Sequence, residues 1–328
     1  MLIIGDESKS NGKLPWVTFS LIAINIVVYC GQCFLGNNFT LGFSLVPKEI
    51  STLTDLTKPE HVRAKVPSRI WFENGKEVIR FREVVITVPQ APGPFPIFLT
   101  LLTSMFLHGG WIHLLGNMWF LVVFGRNVEC ALDHGRFLAF YIACGVLGGL
   151  VYTASDASSV LPCLGASGAI SGVLGAYVAI HPLNPISLWF GFYVGVIQLP
   201  AFVVVGVWFL FQYLAAFQSL EFAGTNLGGT AYWDHVGGFA AGIGIVWGTI
   251  LYLKWRKSYE PPEAEEEEAA AADRPEVLSA DDPFGNFLPQ SAAIKSMDKP
   301  VTDFEPERAD RYDVVRPEST AVKSMDKH

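Results

Sequence analysis

Six apolar runs, each close to the length needed to cross a lipid bilayer, dominate the first 257 residues of this 328-residue chain. A helix rising 1.5 Å per residue needs about 20 residues to cross roughly 30 Å of hydrocarbon. Only 16% of the residues are charged, against about 25% in soluble domains. The sequence therefore predicts an all-α membrane domain of six transmembrane helices over residues 16–257. The runs are Trp16–Leu35, a stretch within Ile97–Phe124, Phe137–Tyr152, Val160–Ile180, Leu199–Phe217 and His235–Trp255.

The segments outside these runs are predicted from their composition. Residues 1–15 are polar and lack the pattern of a cleavable signal peptide, so we expect a short cytoplasmic segment before the first span. The loop 43–96 is long enough to hold structure, and Asn74-Gly75 between two β-prone runs predicts a β-hairpin within it. Residues 186–197 are apolar, but Pro200 interrupts the run, and we interpret them as an interfacial approach to the fifth span.

Charge is distributed unevenly along the chain. Residues 260–328 contain 18 acidic and 8 basic residues, a net charge of −10 within a total of −8. This segment contains Pro and Ala clusters and repeats Lys-Ser-Met-Asp-Lys at 295–299 and 323–327. We predict a disordered acidic tail over residues 258–328, whose repeat is either a docking motif for an unknown partner or a chance duplication. The membrane part is only weakly basic, and nothing in it indicates nucleic-acid binding.

The short loops predict the orientation of the spans. Basic residues precede the first span, flank the loop between the second and third, and follow the sixth, whereas loops 155–160 and 218–234 contain neither Lys nor Arg. By the positive-inside rule both termini lie in the cytoplasm and the loop 43–96 lies outside. We expect an integral, multi-pass protein of a bacterial inner (plasma) membrane.

The five cysteines do not indicate a metal or redox site. An odd number cannot pair completely, and four of the five lie in or beside apolar runs, where Cys behaves as a small hydrophobic residue. Cys30 and Cys33 form a Cys-x-x-Cys, but a single pair without a second half is a weak signal. We interpret these residues as packing residues and predict no metal and no cofactor.

Polar side chains inside apolar spans are costly and commonly mark a functional site. If both termini are cytoplasmic, the second, fourth and sixth spans all run from outside to inside. Ser167 then lies about seven residues into the fourth span, roughly 10 Å deep, and the polar groups of all three spans fall in the outer half of the membrane. The polar residues concerned are Asn25, His108, His113, Asn117, Ser167, Ser171, Gln212 and His235, with Asp234 before the last.

Small residues on two of these spans permit close contact. Gly168 and Gly172 in the fourth span, and Gly238 and Gly242 in the sixth, form small-xxx-small pairs that let helix backbones approach. We therefore expect a serine on one helix to reach a histidine on the other, at the ~2.6–3.2 Å that a Ser–His nucleophile needs.

The chemistry that these residues favour is acyl transfer. His235 would accept the proton of Ser167 during attack on a carbonyl, and His113, Asn117 and the Ser167 backbone N–H would donate to the resulting oxyanion. Simpler interpretations exist, since a serine in a membrane helix often bonds its own i−4 carbonyl and a histidine at the bilayer rim often faces water. Their joint occurrence on three spans favours a site.

Four motifs in order resemble the rhomboid intramembrane serine proteases, over about residues 16–255. The motifs are His108-Gly-Gly-Trp-Ile-His113-Leu-Leu-Gly-Asn117, Phe124-Gly-Arg-Asn-Val-Glu129, Gly165-Ala-Ser167-Gly168 and His235-Val-Gly-Gly238-Phe-Ala-Ala-Gly242. The resemblance implies a six-helix bundle, a Ser167–His235 dyad, an oxyanion hole formed by His113 and Asn117, and positions near this site for His108, Gly165 and Gly168. It also implies that Glu129 is structural, and that substrates are single-span membrane proteins cut near the outer membrane surface. The fifth span and loop 218–234 would then form a gate and cap.

The chain departs from the family pattern at several positions. Ser171 stands where many members have an aromatic residue against the catalytic histidine, so the orientation of the His235 ring must have another source. Asp234 is an unusual neighbour of that histidine, and loop 55–90 resembles an insertion. Two alternatives stay open: an inactive rhomboid-like protein that binds and steers transmembrane segments, and a transporter, for which the expected internal repeat is not found.

Overall fold

The computed structural model describes residues 2–6, 14–73, 76–189, 195–221 and 231–259. Several predicted features lie outside the described residues: the acidic tail beyond residue 259 with both copies of its repeat, the Asn74-Gly75 turn, and residues 222–230 of the predicted cap loop. In chain order, the elements are β1 (Leu2–Asp6), α1 (Trp16–Leu35), α2 (Asn37–Phe43), α3 (Pro47–Thr52), β2 (Glu60–Glu73), β3 (Lys76–Val88), α4 (Thr100–Thr103), α5 (Trp111–Phe120), α6 (Arg126–Leu132), α7 (His134–Ser155), α8 (Ser167–Ile180), β4 (Pro185–Trp189), β5 (Val196–Pro200), α9 (Ala201–Glu221) and α10 (Tyr232–Tyr259).

Helices α1, α7, α9 and α10 are long and apolar enough to cross a membrane, judged over the described residues. Ile97–Phe106 and Trp111–Leu132 pass the same test as a pair bent by 80°, which makes up to five spans. Helix α8 has 14 residues and is about 21 Å long, less than the thickness of the hydrocarbon. The chain is thus mainly helical with several apolar spans, while the count of six crossings stays a prediction.

The prediction of an all-α domain is wrong at the β1–β4–β5 sheet. Strand β4 pairs antiparallel with both β1 and β5. Ile186 and Leu188 are buried and alternate with less buried neighbours, which is the period-2 pattern of a strand with one covered face. The described parts of the segment 186–197 are therefore paired strands, and the N-terminal segment adds the third strand of the sheet. The interfacial position of this segment stays a prediction.

A second, separate ribbon lies in the loop 43–96. Strands β2 and β3 pair antiparallel from Glu60 opposite Val88 to Glu73 opposite Lys76. The register shifts once, between Pro67 and Arg69, where proline lacks the N–H needed to continue the ladder. The predicted hairpin pattern therefore corresponds to a paired ribbon in the described residues on both sides of the turn.

The bend in the second apolar run has a local cause. Residues 107–110 are not helical, so their backbone groups need other partners inside an apolar environment. Gln32 of α1 provides partners for both backbone groups of His108: its Oε1 accepts the His108 N–H at 2.9 Å and its Nε2 donates to the His108 carbonyl at 3.2 Å. A side chain of the first helix thus compensates for the break and fixes where α5 begins.

Glu129 anchors the start of α1. Its carboxylate accepts the backbone N–H groups of Val17 and Thr18 at 2.9 and 2.8 Å and the Thr18 hydroxyl at 2.6 Å, and it contacts His134 Nδ1 at 2.5 Å. The first N–H groups of a helix lack intrahelical partners and carry a partial positive charge, so a carboxylate there stabilises the helix. These contacts account for a structural role of Glu129.

Helix α8 is enclosed by the rest of the bundle. All ten residues from Gly168 to Tyr177 are buried, as expected for a helix that is apolar on every side. Its contact with α10 is made through backbone: a Cβ on Gly238 would lie 2.0 Å from the Gly168 carbonyl oxygen, and one on Gly242 would lie 2.0 Å from the Gly172 oxygen. Only glycine permits this approach of the two helices.

Gly242→Ala should therefore destabilise the protein by about 1–3 kcal/mol, because the added methyl forces α8 and α10 apart. Gly244→Ala is the matched control on the same helix, since a Cβ there meets no atom within 4 Å; it should be neutral or slightly stabilising, because Ala favours a helix over Gly by about 1 kcal/mol. Thermal unfolding of both variants in detergent measures the difference. Equal melting temperatures would contradict the close contact.

A buried carboxyl lies in the loop before the ribbon. Glu49 of α3 is 3% exposed, and its Oε1 accepts the Leu56 N–H at 2.8 Å. Burial raises the pKa of Glu49 from 4.5 to about 7, the charge of Asp55 adds to this, and the Leu56 N–H opposes it. Between pH 4.5 and 7 the folded state thus holds a proton that the unfolded chain has lost, so this group stabilises the fold at low pH and the stabilisation is lost as the pH rises through 7.

Glu49→Gln should remove this dependence. The melting temperature of the wild type should contain a component that falls between about pH 4.5 and 7, the interval in which the folded state holds this proton and the unfolded chain does not, whereas the variant lacks it. Glu60→Gln is the control, because Glu60 forms only a partly exposed ion pair with Lys48 at 3.3 Å, a kind of pair that contributes about 0–1 kcal/mol. A pH dependence that persists in Glu49→Gln would show that Glu49 is not its source.

Candidate active site

Ser167 is the first residue of α8, not a residue seven positions inside a span as the apolar run predicted. The preceding residues are held in a loop: Cys163 and Leu45 exchange backbone hydrogen bonds at 2.9 and 2.7 Å, and the Gly165 N–H donates to the Ser104 carbonyl at 2.9 Å. Gly165 has φ +134°, which side-chain-bearing residues rarely adopt. Ser167 is thus displayed at a helix N-terminus, where the free N–H groups point outward.

Ser167 and His235 contact each other directly. The Ser167 Oγ lies 2.8 Å from the His235 Nε2, within the range of a nucleophile–base hydrogen bond. The i−4 bond that a membrane serine often makes is formed by Ser171, whose hydroxyl donates to the Ser167 carbonyl at 2.6 Å. The two serines of α8 therefore have different roles in the structure.

The second nitrogen of His235 contacts Gln212, a polar residue of the fifth span for which the sequence predicted no partner. His235 Nδ1 lies 2.8 Å from the Oε1 of Gln212, on α9. The ring of Trp208, one turn earlier on α9, lies 6.2 Å from the imidazole at an angle of 32°. Helix α9 thus holds the His235 ring where Ser171 offers no aromatic side chain. The signal in the sequence was a glutamine within an apolar span.

Asp234 precedes His235 but directs its carboxylate between helices. Its carboxylate faces glycines of α7 and α8: a Cβ on Gly168 would lie 2.4 Å from both carboxylate oxygens, and one on Gly148 would lie 2.6 Å from one of them. Because Gly168 and Gly148 have no side chains, this acid fits between the helices. Asp234 is therefore the neighbour of His235 in sequence but lies on another face of α10.

The residues predicted as oxyanion donors lie beside Ser167. A Cβ on Gly165 would lie 2.8 Å from the His113 ring and 3.5 Å from the Ser167 Oγ, so His113 packs against the loop that presents the serine. Asn117 Nδ2 contacts the Nε2 of buried His108 at 3.0 Å. The rings of His108 and His113 are 5.2 Å apart. The sequence motif thus folds into one cluster.

These side chains line a cavity of about 740 Å³. Ser167, His235, His113, Asn117 and Gln212 all border it. The described residues that line the cavity include no Asp, Glu, Lys or Arg. The site therefore combines one Ser–His hydrogen bond with neutral donors around a space large enough for an extended peptide segment. The glycines at 172, 238 and 242 are not at the cavity but in the α8–α10 contact that supports it.

The five cysteines lie in the described part of the chain, and none of them forms a disulfide bond. No group of three or more His, Cys, Asp or Glu side chains among the described residues is arranged to hold a metal ion.

The fold and site together define a multi-helix membrane protein with a Ser–His pair in a cavity. Residues 97–252 match the family model of the Rhomboid domain. The Rhomboid protease GluP of Bacillus subtilis is 46% identical over 82 residues, 24% of this chain and 16% of the relative. RHOMBOID-like protein 5 of Arabidopsis thaliana is 37% identical over 79 residues, 24% of this chain and 26% of the relative. Rhomboid-like protein 11, chloroplastic, also of A. thaliana, is 30% identical over 157 residues, 47% of this chain and 53% of the relative.

The chain therefore contains a Rhomboid domain at residues 97–252. It spans about half the length of one of these relatives and about a quarter or less of the other two. Their names include both a protease and rhomboid-like proteins, and one of them is chloroplastic. The similarity thus identifies the domain at residues 97–252.

Proposed function

We propose that this protein is an intramembrane serine endopeptidase that hydrolyses peptide bonds of single-span membrane proteins. The observation that carries this proposal is the 2.8 Å contact between the Ser167 hydroxyl and the His235 ring inside the cavity. A serine hydroxyl is a weak nucleophile by itself and needs an adjacent base. The Rhomboid domain at residues 97–252 and the protease name of one relative support the same reaction.

In the proposed reaction Ser167 is the nucleophile and His235 is the general base and acid. As the Ser167 Oγ attacks the scissile carbonyl carbon, its O–H bond breaks and the proton moves to the His235 Nε2. His235 then gives this proton to the leaving amine as the C–N bond breaks, and the acyl group remains on Ser167. Water attacks this ester with His235 again as the base, which frees the acid product and restores the serine.

The oxyanion of the tetrahedral intermediate would be stabilised by neutral donors. We assign this role to His113, to the Asn117 amide and to the backbone N–H of Ser167. Their positions around the serine support the assignment, since Gly165 packs against His113 and the Ser167 N–H belongs to the open first turn of α8. Such donors are most effective where water is scarce and charge develops only in the transition state.

The number of crossings, the orientation, the membrane and the route of substrate entry belong to the same proposal. We propose six crossings, with the bent pair and short α8 counted as the second and fourth, both termini in the cytoplasm, and cleavage near the outer face of a bacterial inner membrane. The distribution of Lys and Arg supports this orientation. Substrates would reach the cavity beside α9 and loop 218–234, the gate and cap of the proposal. No cofactor takes part.

The alternative is an inactive rhomboid-like protein that binds and steers transmembrane segments. It would share the fold and the cavity and would not need the Ser–His pair. The short hydrogen bond between Ser167 and His235 favours the enzyme.

Ser167→Ala and His235→Ala should each abolish cleavage of a single-span substrate in proteoliposomes, with the fold retained. Ser171→Ala is the matched control: Ser171 borders the same cavity, but its hydroxyl donates to the Ser167 carbonyl one turn away, so the variant should keep most of the activity. A fluorophosphonate probe should modify Ser167, as mapped by mass spectrometry. Cleavage by Ser167→Ala at the wild-type rate would contradict the mechanism, and a wild-type protein that neither cleaves nor reacts would favour the alternative.

Asn117→Ala should lower kcat by roughly 10²–10³-fold with little change in KM, because removal of one oxyanion donor typically causes a loss of this size. Asn25→Ala is the control, since Asn25 is also a buried amide but bonds the Leu21 carbonyl of its own helix at 2.8 Å; its kcat should stay close to that of the wild type. Single-turnover kinetics separate capture from chemistry. Weaker capture at an unchanged single-turnover rate would place Asn117 in substrate binding instead.

A further inference from the structure

We propose that Gln212 is a positioning residue that holds His235 in the one neutral tautomer able to accept the Ser167 proton. This inference rests on the proposed function. It extends the Ser167–His235 pair implied by the family resemblance to a chain of three side chains, Ser167, His235 and Gln212.

The geometry defines the tautomer. Both ring nitrogens of His235 are engaged, Nε2 with the Ser167 Oγ and Nδ1 with the Gln212 Oε1, each at 2.8 Å. An amide oxygen only accepts hydrogen bonds, so Nδ1 must carry the proton. In a neutral imidazole the other nitrogen then has a free lone pair, and Nε2 can accept from the serine. The opposite tautomer would turn two acceptors toward each other at Nδ1 and block proton transfer at Nε2.

Other groups near His235 do not perform this task. The Asp234 carboxylate is enclosed by Gly148 and Gly168, and the Ser171 hydroxyl bonds the Ser167 carbonyl. The Trp208 ring packs 6.2 Å from the imidazole, a distance that restricts the ring plane but does not select a nitrogen. The acceptor that the structure places at Nδ1 is the amide of Gln212.

A neutral acceptor suits this environment. A carboxylate in the same position would need to be desolvated inside the membrane domain, which is expensive. The amide avoids that cost in the resting state. When His235 takes the proton, the Nδ1–H···Oε1 bond becomes charge-assisted and roughly twice as strong as a neutral one. Gln212 therefore stabilises a charge that exists only during the reaction, and its contribution belongs to kcat rather than to KM.

Aromatic packing between α9 and α10 fixes the position of Gln212 relative to His235. Phe209 of α9 stacks on Phe239 of α10 with the ring centroids 4.2 Å apart and the planes at 18°. Gln212 lies three residues further along α9, on the same side of the helix, and Phe239 lies four residues beyond His235. Among the described residues of α9, Gln212 is the one whose side chain hydrogen-bonds to another helix. The position of α9 against α10 thus decides whether His235 has its acceptor.

The test compares three variants of the full chain in lipid nanodiscs. Gln212→Leu keeps the size of the side chain and removes the acceptor, Gln212→Glu keeps an acceptor, and Leu210→Ala alters the exposed face of the same helix as a control. ¹⁵N-histidine NMR reports the tautomer of His235, with His235→Ala used to assign its signals. Steady-state cleavage of a single-span substrate gives kcat and KM.

We expect Gln212→Leu to lower kcat by about 10- to 100-fold, the loss of one charge-assisted hydrogen bond, with KM within about twofold. Its His235 spectrum should show the Nε2–H tautomer, which the wild type lacks. Gln212→Glu should keep the proton on Nδ1, but its charge would favour the imidazolium before substrate arrives, so its kcat should lie between those of the wild type and Gln212→Leu. Leu210→Ala should match the wild type in both measurements.

A wild-type His235 that carries its proton on Nε2 would overturn the inference, and so would a Gln212→Leu variant with unchanged kcat and tautomer. A loss of activity in Leu210→Ala equal to that in Gln212→Leu would likewise overturn it, because the effect would then come from α9 in general. Absence of cleavage by the wild type would refute the proposed function, whereas the NMR measurement would still decide the role of Gln212.

Discussion

The backbone contact between α8 and α10 is the constraint on which the site depends. Gly238 and Gly242 meet the carbonyl oxygens of Gly168 and Gly172 without intervening side chains. This brings the two helix axes close enough for Ser167, a short side chain at the start of α8, to reach a ring near the start of α10. Any bulkier residue at these contacts would increase the distance that the hydrogen bond must span. Helix packing in lipid, driven by close van der Waals contact, thus also sets the distance between Ser167 and His235.

Irregular backbone in this bundle occurs where polar side chains compensate for it. Gln32 satisfies both backbone groups of His108 at the bend of the second run, and Glu129 satisfies the free N–H groups at the start of α1. The loop that ends at Gly165 is paired with Leu45 and Ser104. Each departure from a continuous helix is possible because a partner is already present. The loop and the bend, in turn, bring His113 and Ser167 to the same cavity.

The sequence predicted the cluster of functional side chains better than the elements that carry it. The spacing of His113 and Asn117 and the glycine pairs depends on local helix geometry, which a sequence expresses directly. The start of α8 cannot be predicted from local geometry, because residues 160–166 are as apolar as a span and become a loop only through backbone pairing with Leu45. The β1–β4–β5 sheet was missed for a related reason: short apolar runs do not reveal by composition whether their partner is a helix or a strand distant in the chain.

The described residues lining the cavity contain no permanent charge, which decides how a reaction there would be stabilised. A fixed carboxylate beside His235 would favour the imidazolium before substrate arrives as well as in the transition state. Neutral dipoles can instead stabilise charge as it forms: the amide of Gln212 contacts the ring nitrogen of His235 that faces away from Ser167, and Asn117 and His113 border the same cavity as Ser167. The positive charge on His235 and the negative charge on the substrate oxygen would then appear together, between groups already oriented for them, in a medium that screens both weakly.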